Sequence, residues 1–319
     1  MPANVESMFY YNEPPWHGMG TRLDHPATAA EALAAAKLDW TVSKLPAAVM
    51  LEGKAIPAEG WECVVRTDTI GSGRAHVLGV VGKGYAPLQN RDAFTFFDSI
   101  VGDGAAIYHT AGAINKGEYV WILAKLPVDI VVLGEDITEK YLLLANCHSG
   151  EAAVQVKFTP IRVVCQNTLN AALQQGRGAR VPHIGDVLGK LVRSRDMLGQ
   201  FVNAYDQIAQ LFVQMGKTPV TQRTIDDYLG QLFPLPDDEK ERVRVLERRE
   251  AVVRLNETGP GSDIPGVRGS LWGLYNAVVA EVDYGIQRRT PDSRLKSIWF
   301  GGAAAFKQKA LNVAASVIR

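Results

Sequence analysis

The sequence predicts an α+β protein, with a mainly antiparallel β-sheet domain over residues 1–180 and a helical region over 181–319 packing on it. Two observations carry this. Upstream, seven β-type apolar runs follow one another with short turn signals between them, a pattern that builds hairpins rather than helical crossovers. Downstream, the apolar spacing changes to the helical period and stays there.

The elements follow in order. Thr28, with Glu31 three residues on, makes a capping box opening the Ala-rich helix TAAEALAAAKL. The strand candidates are AAVMLE, WECVVR, HVLGVVG, AAIYHTAG, EYVWILAKL, KYLLLANC and AAVQVKF, and IGSGR, INKGE and CHSGE supply turns between them. One helix, NRDAFTFFDSIV, interrupts the series, with Asn90 as its cap and Phe94, Phe97 and Val101 on the buried face. In VKFTPIRVVCQNTLNAAL, Val156 to Leu173, a strand-like half passes into a helical half, with Arg162, Cys165, Gln166 and Asn167 at the changeover. Leu191, Leu198, Tyr205 and Phe212 then recur every seven residues, Leu188, Val202 and Ala209 fill companion positions, and Arg195 breaks the seam, which predicts a long packed helix. Further helices are expected at TQRTIDDYLGQLF, DDEKERVRVLERREAVVRL, LWGLYNAVVAEVDYGI and SRLKSIWFGGAAAFKQKALNVAASVI. The Gly/Pro-rich NETGPGSDIPGVRGS reads as a mobile loop.

With 319 residues, 47% of them hydrophobic and 21% charged, the chain is long enough for a large core or two domains. No apolar run approaches the ~18–20 residues of a membrane span, and MPANVESMFYYNEPPW has no signal-peptide pattern, so a cytoplasmic protein without a membrane partner is expected. Cys63, Cys147 and Cys165 are odd in number, widely spaced and without a CxxC pair, which argues against a disulfide framework or a zinc knuckle. The net charge of zero hides a segregation. Residues 1–140 carry 11 Lys/Arg against 17 Asp/Glu, whereas 157–195 and 288–319 each carry 7 against 1. Such blocks form a phosphate-binding surface, a head-to-tail contact between copies, or merely solvated helix faces.

Catalytic signatures are sparse. No GxxxxGK[ST] occurs, since Lys83 in VVGKGY is followed by Gly, and HExxH, GxSxG and a helix-opening GxGxxG are absent as well. The six histidines are scattered, and no cofactor or metal is called for. Cys165, before a helix, has a position that lowers a thiol pKa, with His148 as its base, although a free cysteine in an apolar run is more often a small buried hydrophobe. Arg162 at the same joint suits a phosphate grip beside the free N–H groups of the following helix, or an ion pair with Glu151 or Asp186.

The blocks PPWHGMG, LDWTV, VGKGYAPLQN, TAGAINKGEYVWILAKLP, YLLLANCHSG, TPIRVVCQNTL and LWGLYNAVVAEVDY resemble the phage/plasmid-like protein family, a domain-of-unknown-function family of phages, prophages and plasmids. The resemblance covers nearly the whole chain. Where that family often reads His-Asp-Gly, this chain has His148, Ser149 and Gly150, which removes a carboxylate from any His-Asp pair. A phage setting, hairpins, basic blocks and no ATPase motif are also the broad ingredients of single-strand annealing proteins, by analogy of fold. The expectation is therefore a single-stranded DNA-binding protein that anneals without ATP, assembled with itself as a ring or filament. Lys157, Arg162, Arg177 and Arg180 would meet phosphates, and Tyr85, Phe158 and Trp16 would stack on bases. Two other classes stay open: a nucleic-acid or nucleotide-processing enzyme using Cys165 and His148, and a protein-interaction factor inhibiting a host defence complex.

Overall fold

The computed structural model describes residues 5–11, 20–70, 75–101, 106–162, 167–168, 179–193, 195–285, 297–298 and 301–318. In chain order these form β1 (Val5–Tyr11), β2 (Thr21–Leu23), α1 (Ala29–Ala35), β3 (Val42–Leu51), β4 (Lys54–Arg66), β5 (Val77–Gly82), α2 (Asn90–Val101), β6 (Ile107–Ile114), β7 (Tyr119–Lys125), β8 (Ile130–Leu133), β9 (Asp136–Cys147), β10 (Val154–Arg162), β11 (Asn167–Thr168) and β12 (Ala179–Val181). The helices α3 (Val187–Arg193), α4 (Arg195–Lys217), α5 (Gln222–Leu232), α6 (Glu239–Thr258), α7 (Leu271–Ala280) and α8 (Gly302–Ile318) follow. The fold is α+β, with mostly antiparallel strands in the N-terminal half and helices in the C-terminal half. Two compact units interleave along the sequence, one made of 1–127, 142–157 and 177–198, the other of 128–141, 158–176 and 199–319.

The larger sheet runs β11–β10–β9–β7–β6–β1–β2, with β12 added to β10 and β8 to β9. Its described pairings are antiparallel apart from β1–β2. β7 is buried on both faces over Tyr119–Ala124, so it reads as a continuous apolar run rather than an alternation. A second, three-stranded sheet has the order β3–β4–β5, all antiparallel. Gly79 of β5 lies so close to the Ser149 backbone that a Cβ there would sit 2.3 Å from its carbonyl oxygen, so glycine lets β5 press on the turn after β9. The capping box of α1 forms as expected: Glu31 N–H donates to Thr28 Oγ1 (3.3 Å) and Thr28 N–H to Glu31 Oε2 (2.9 Å). In α2, Phe94 and Phe97 are buried, and Tyr108 donates its hydroxyl to the Phe94 carbonyl at 3.0 Å. Asn90 is the first helical residue, and its amide reaches away from its own helix.

In the second unit, Tyr205, Ile208, Phe212 and Met215 form the buried stripe of α4; the side chains of 195–204 lie outside the described residues. The predicted heptad thus runs through two helices, with Leu191 buried in α3 and Tyr205 and Phe212 in α4. α7 is buried on nearly every side, as its apolar composition demands. Its Trp272 donates to Asp136 Oδ2 at 2.7 Å, and its ring lies 4.8 Å from Phe212. α5 meets α8 where Tyr228 donates to the Ala310 carbonyl at 3.0 Å. The Gly/Pro-rich segment before α7 is not the loose loop its composition suggests. It is folded into hydrogen-bonded turns with Val267 buried and Gly261, Gly266 and Gly269 at positive φ.

α7 ends in a π-turn, Glu281–Gly285, which carries two buried carboxylates two residues apart. Glu281 takes both nitrogens of the Arg248 fork from α6, each at 2.8 Å, while that guanidinium also covers the Phe233 ring at 4.8 Å. Asp283 takes the fully buried Lys307 of α8 at 2.9 and 3.2 Å. One turn therefore ties three helices together by charge.

Candidate functional site

The strand half of Val156–Leu173 folds as expected, and its neighbour in the sheet is informative. Along β10, Val154 and Val156 are buried while Gln155 and Lys157 are half-buried, the alternation of a strand with one face on a core. β12 pairs antiparallel with it, Val154 opposite Val181, Gln155 opposite Arg180 and Val156 opposite Ala179. Arg180, exposed, thus stands across from Gln155 on the more open face, and Lys157 lies on the same face one diagonal away, about 7–8 Å by strand geometry. Two of the predicted phosphate contacts, 23 residues apart in sequence, share a surface. α3, which follows β12 in sequence, carries Lys190 and Arg193 in its last turn, where Lys190 donates to the Ile184 carbonyl at 2.7 Å and Arg193 stands 3.9 Å from Asp186.

The other candidates divide. Arg162 ends β10 with its backbone opposite Asn167, but its side chain lies outside the described residues, as do Trp16, Cys165 and Arg177 altogether. Tyr85 is engaged internally: its ring stacks on His183 at 4.7 Å, and its hydroxyl donates to the Cys147 carbonyl at 2.9 Å, where burial pushes its pKa up. Phe158 packs edge-on against Tyr205 at 4.7 Å. Two of the three aromatic rings offered for base stacking, Tyr85 and Phe158, are thus used in the protein's own packing, the commoner use of an aromatic residue in a strand or turn.

Within the same unit as Lys157 and Arg180 lies a buried polar centre. His148, directly after β9, is fully buried, with Nε2 3.0 Å from Asn90 Oδ1 and 3.3 Å from Asn146 Nδ2. Asn90 is oriented by donating to the Leu38 and Trp40 carbonyls (3.1 and 3.3 Å), and Asn146 by donating to the Leu88 carbonyl at 2.9 Å. Asn90 therefore presents an oxygen that can only accept, so His148 Nε2 carries the hydrogen. Burial, with smaller contributions from the nearby His183 and Arg66 charges, holds the His148 pKa down to about 3, and the ring is neutral. His183 is also buried, which lowers its pKa, while its Nδ1–H donates to the Ala86 carbonyl at 3.1 Å. Trp40 tilts against His148 at 5.4 Å and carries the Arg66 guanidinium on its ring at 4.3 Å. Arg66 in turn binds Glu6 (2.6 Å), Asp68 (2.7 Å) and the Lys116 carbonyl (3.0 Å).

This arrangement organises structure. His148 has its proton-bearing nitrogen committed and no exposed surface, and a buried neutral imidazole of such low basicity is poorly placed to take a proton from a solvent-borne substrate. Among the described residues no group of three or more His, Cys, Asp or Glu side chains is placed to hold a metal ion. The network went unseen in the sequence, although Asn146 and His148, one strand period apart at the end of the apolar run LLLANC, were a usable signal.

The matched segment contains the asparagines and histidines of this centre, while Trp40 and Arg66 precede it. The model of a family described as a domain of unknown function (DUF932) matches residues 77–299. The chain belongs to this DUF932 family. Neither curated proteins nor solved structures give a match to it. The DUF932 segment opens at the first residue of β5 and holds Asn90, Asn146, His148 and His183 together with Lys157 and Arg180.

Proposed function

We propose that this DUF932 protein binds single-stranded DNA, as a phage or plasmid annealing protein that works without ATP hydrolysis and assembles with itself head to tail as a ring or filament. One observation carries the reading: Lys157 and Arg180 stand on one face of paired strands, inside a block of seven cations and one acid. Annealing needs phosphate charge neutralised and bases left accessible, which a cationic strand face supplies. Arg162, at the end of the same strand by sequence, remains the candidate whose planar fork suits phosphate. The paired strands hold Lys157 and Arg180, and the His148 centre ties the end of β9, the neighbour of β10 in the sheet, to Asn90.

The test is the salt dependence of binding to a labelled oligothymidylate. The parent protein should lose affinity with a log-log slope of roughly −0.7 per phosphate contact. Lys157→Ala and Arg180→Ala should each weaken binding and bring the slope about 0.7 closer to zero, with the melting temperature unchanged. Arg162→Ala should do the same, Arg162→Lys should restore only part, and Cys165→Ser should leave binding intact. Binding that is absent, or indifferent to salt, sinks the proposal.

A further inference from the structure

The three-stranded sheet β3–β4–β5 presents an apolar outer face. Leu45, Cys63 and Val80 are cross-strand neighbours in one row, and Leu45 and Val80 are exposed. Trp61, two residues along β4, is 55% exposed beside them. Beyond the sheet, β3 and β4 continue as a two-stranded ribbon closed by Glu52 and Gly53, whose φ values of 50° and 79° make the tight turn such a ribbon needs. Val49 pairs with Ile56 there, and Met50 at the tip is 65% exposed.

We propose that this face is the contact with a second copy of the chain across a two-fold axis. Nine large apolar side chains from Leu45 to Val80 are about half exposed, and eight of them stand on β3, β4 and β5. By strand alternation Met50 lies on the opposite side of the ribbon from Val49, Leu51 and Ile56, so at most seven of the eight share one face. At roughly 100 Å² each these present about 700 Å², close to what one partner contributes to a stable interface. Charge selects the occupant. Residues 42–82 carry four Lys/Arg and four Asp/Glu, so two identical faces meet without net repulsion, whereas nucleic acid and anionic lipid find no excess of cations. Trp is also a residue type enriched at such contacts. The approach is face to face. On one edge strand, β3, Pro46 lacks an N–H and the register slips beside it, two features that discourage strand addition at that edge.

This contact does not depend on the nucleic-acid reading and differs from the head-to-tail contact in its response to salt. At tens of micromolar in 1 M NaCl, where exposed charges are screened beyond about 3 Å, light scattering on the full chain should give twice the monomer mass of 34.8 kDa. Trp61→Glu should raise the dimer dissociation constant about thirtyfold or more, with an unchanged circular dichroism spectrum. Should that variant fail to fold, Val80→Ser in the row of Leu45 and Cys63 carries the same test, with a smaller rise expected. A monomer in 1 M NaCl overturns the proposal, and so does a dimer indifferent to folded Trp61→Glu or Val80→Ser. Assembly that appears only at low salt and ignores both variants leaves the head-to-tail reading standing and removes this one.

Discussion

Replacing Lys307 by alanine should cost about 3–5 kcal/mol of stability, the loss expected when one partner of a buried ion pair is removed and the other stays charged in the interior. Lys307 and Asp283 are both essentially without solvent exposure, and the ammonium meets both carboxylate oxygens. Asp283→Ala should be similarly costly. The double change Lys307→Met with Asp283→Leu should recover most of the loss, because two apolar side chains of similar volume need no desolvation of charge. Urea unfolding followed by circular dichroism reads the difference. If the double variant proves as unstable as either single, the cost came from packing and the pair is not the clamp on the π-turn. Arg248→Ala should be milder, since Arg248 is a third exposed and the Glu281 carboxylate it leaves behind would gain access to water.

How much of this was legible depends on the range of the signal. The seven strand-like runs became β3–β7, β9 and β10 because alternation and turn residues act within a few positions of each other. β1 went unread because VESMFYY sits in a Pro- and Gly-rich neighbourhood, and β8 and β12 because four and three residues are too few to show a period. Asn90 shows the limit most clearly. An asparagine before an amphipathic run is most often a cap, yet its amide serves Leu38, Trp40 and His148, partners 50 to 58 residues away, which no local pattern reveals. The shared face of Lys157 and Arg180 likewise follows from the register of β10 with β12; the charge block is visible in sequence, the pairing is not.

Acid should unfold the first unit sooner than its carboxylates alone would dictate. An unfolded chain returns His148 to an ordinary imidazole pKa near 6.5, while the folded ring, buried against Asn90, Asn146 and Trp40 with His183 and Arg66 nearby, stays unprotonated down to about pH 3. Above pH 6.5 both states are neutral and the histidine contributes no pH dependence. Below it the unfolded state binds a proton that the folded state refuses, so stability falls with pH by about 1.4 kcal/mol per unit, some 2 kcal/mol by pH 5. His183, whose pKa burial also lowers, acts in the same direction from the same starting point. Carboxylates enter mainly below about pH 4.5, which leaves the window from 6.5 to 4.5 to histidines. His148→Gln places an amide N–H within reach of Asn90 Oδ1, so that variant should be less stable at pH 7.5 but lose stability more slowly across the window. Urea midpoints at pH 7.5, 6.0 and 5.0 decide it: a parent protein as stable at pH 5.0 as at 7.5, or a variant with an undiminished slope, would show that the buried imidazole takes up its proton without unfolding the site.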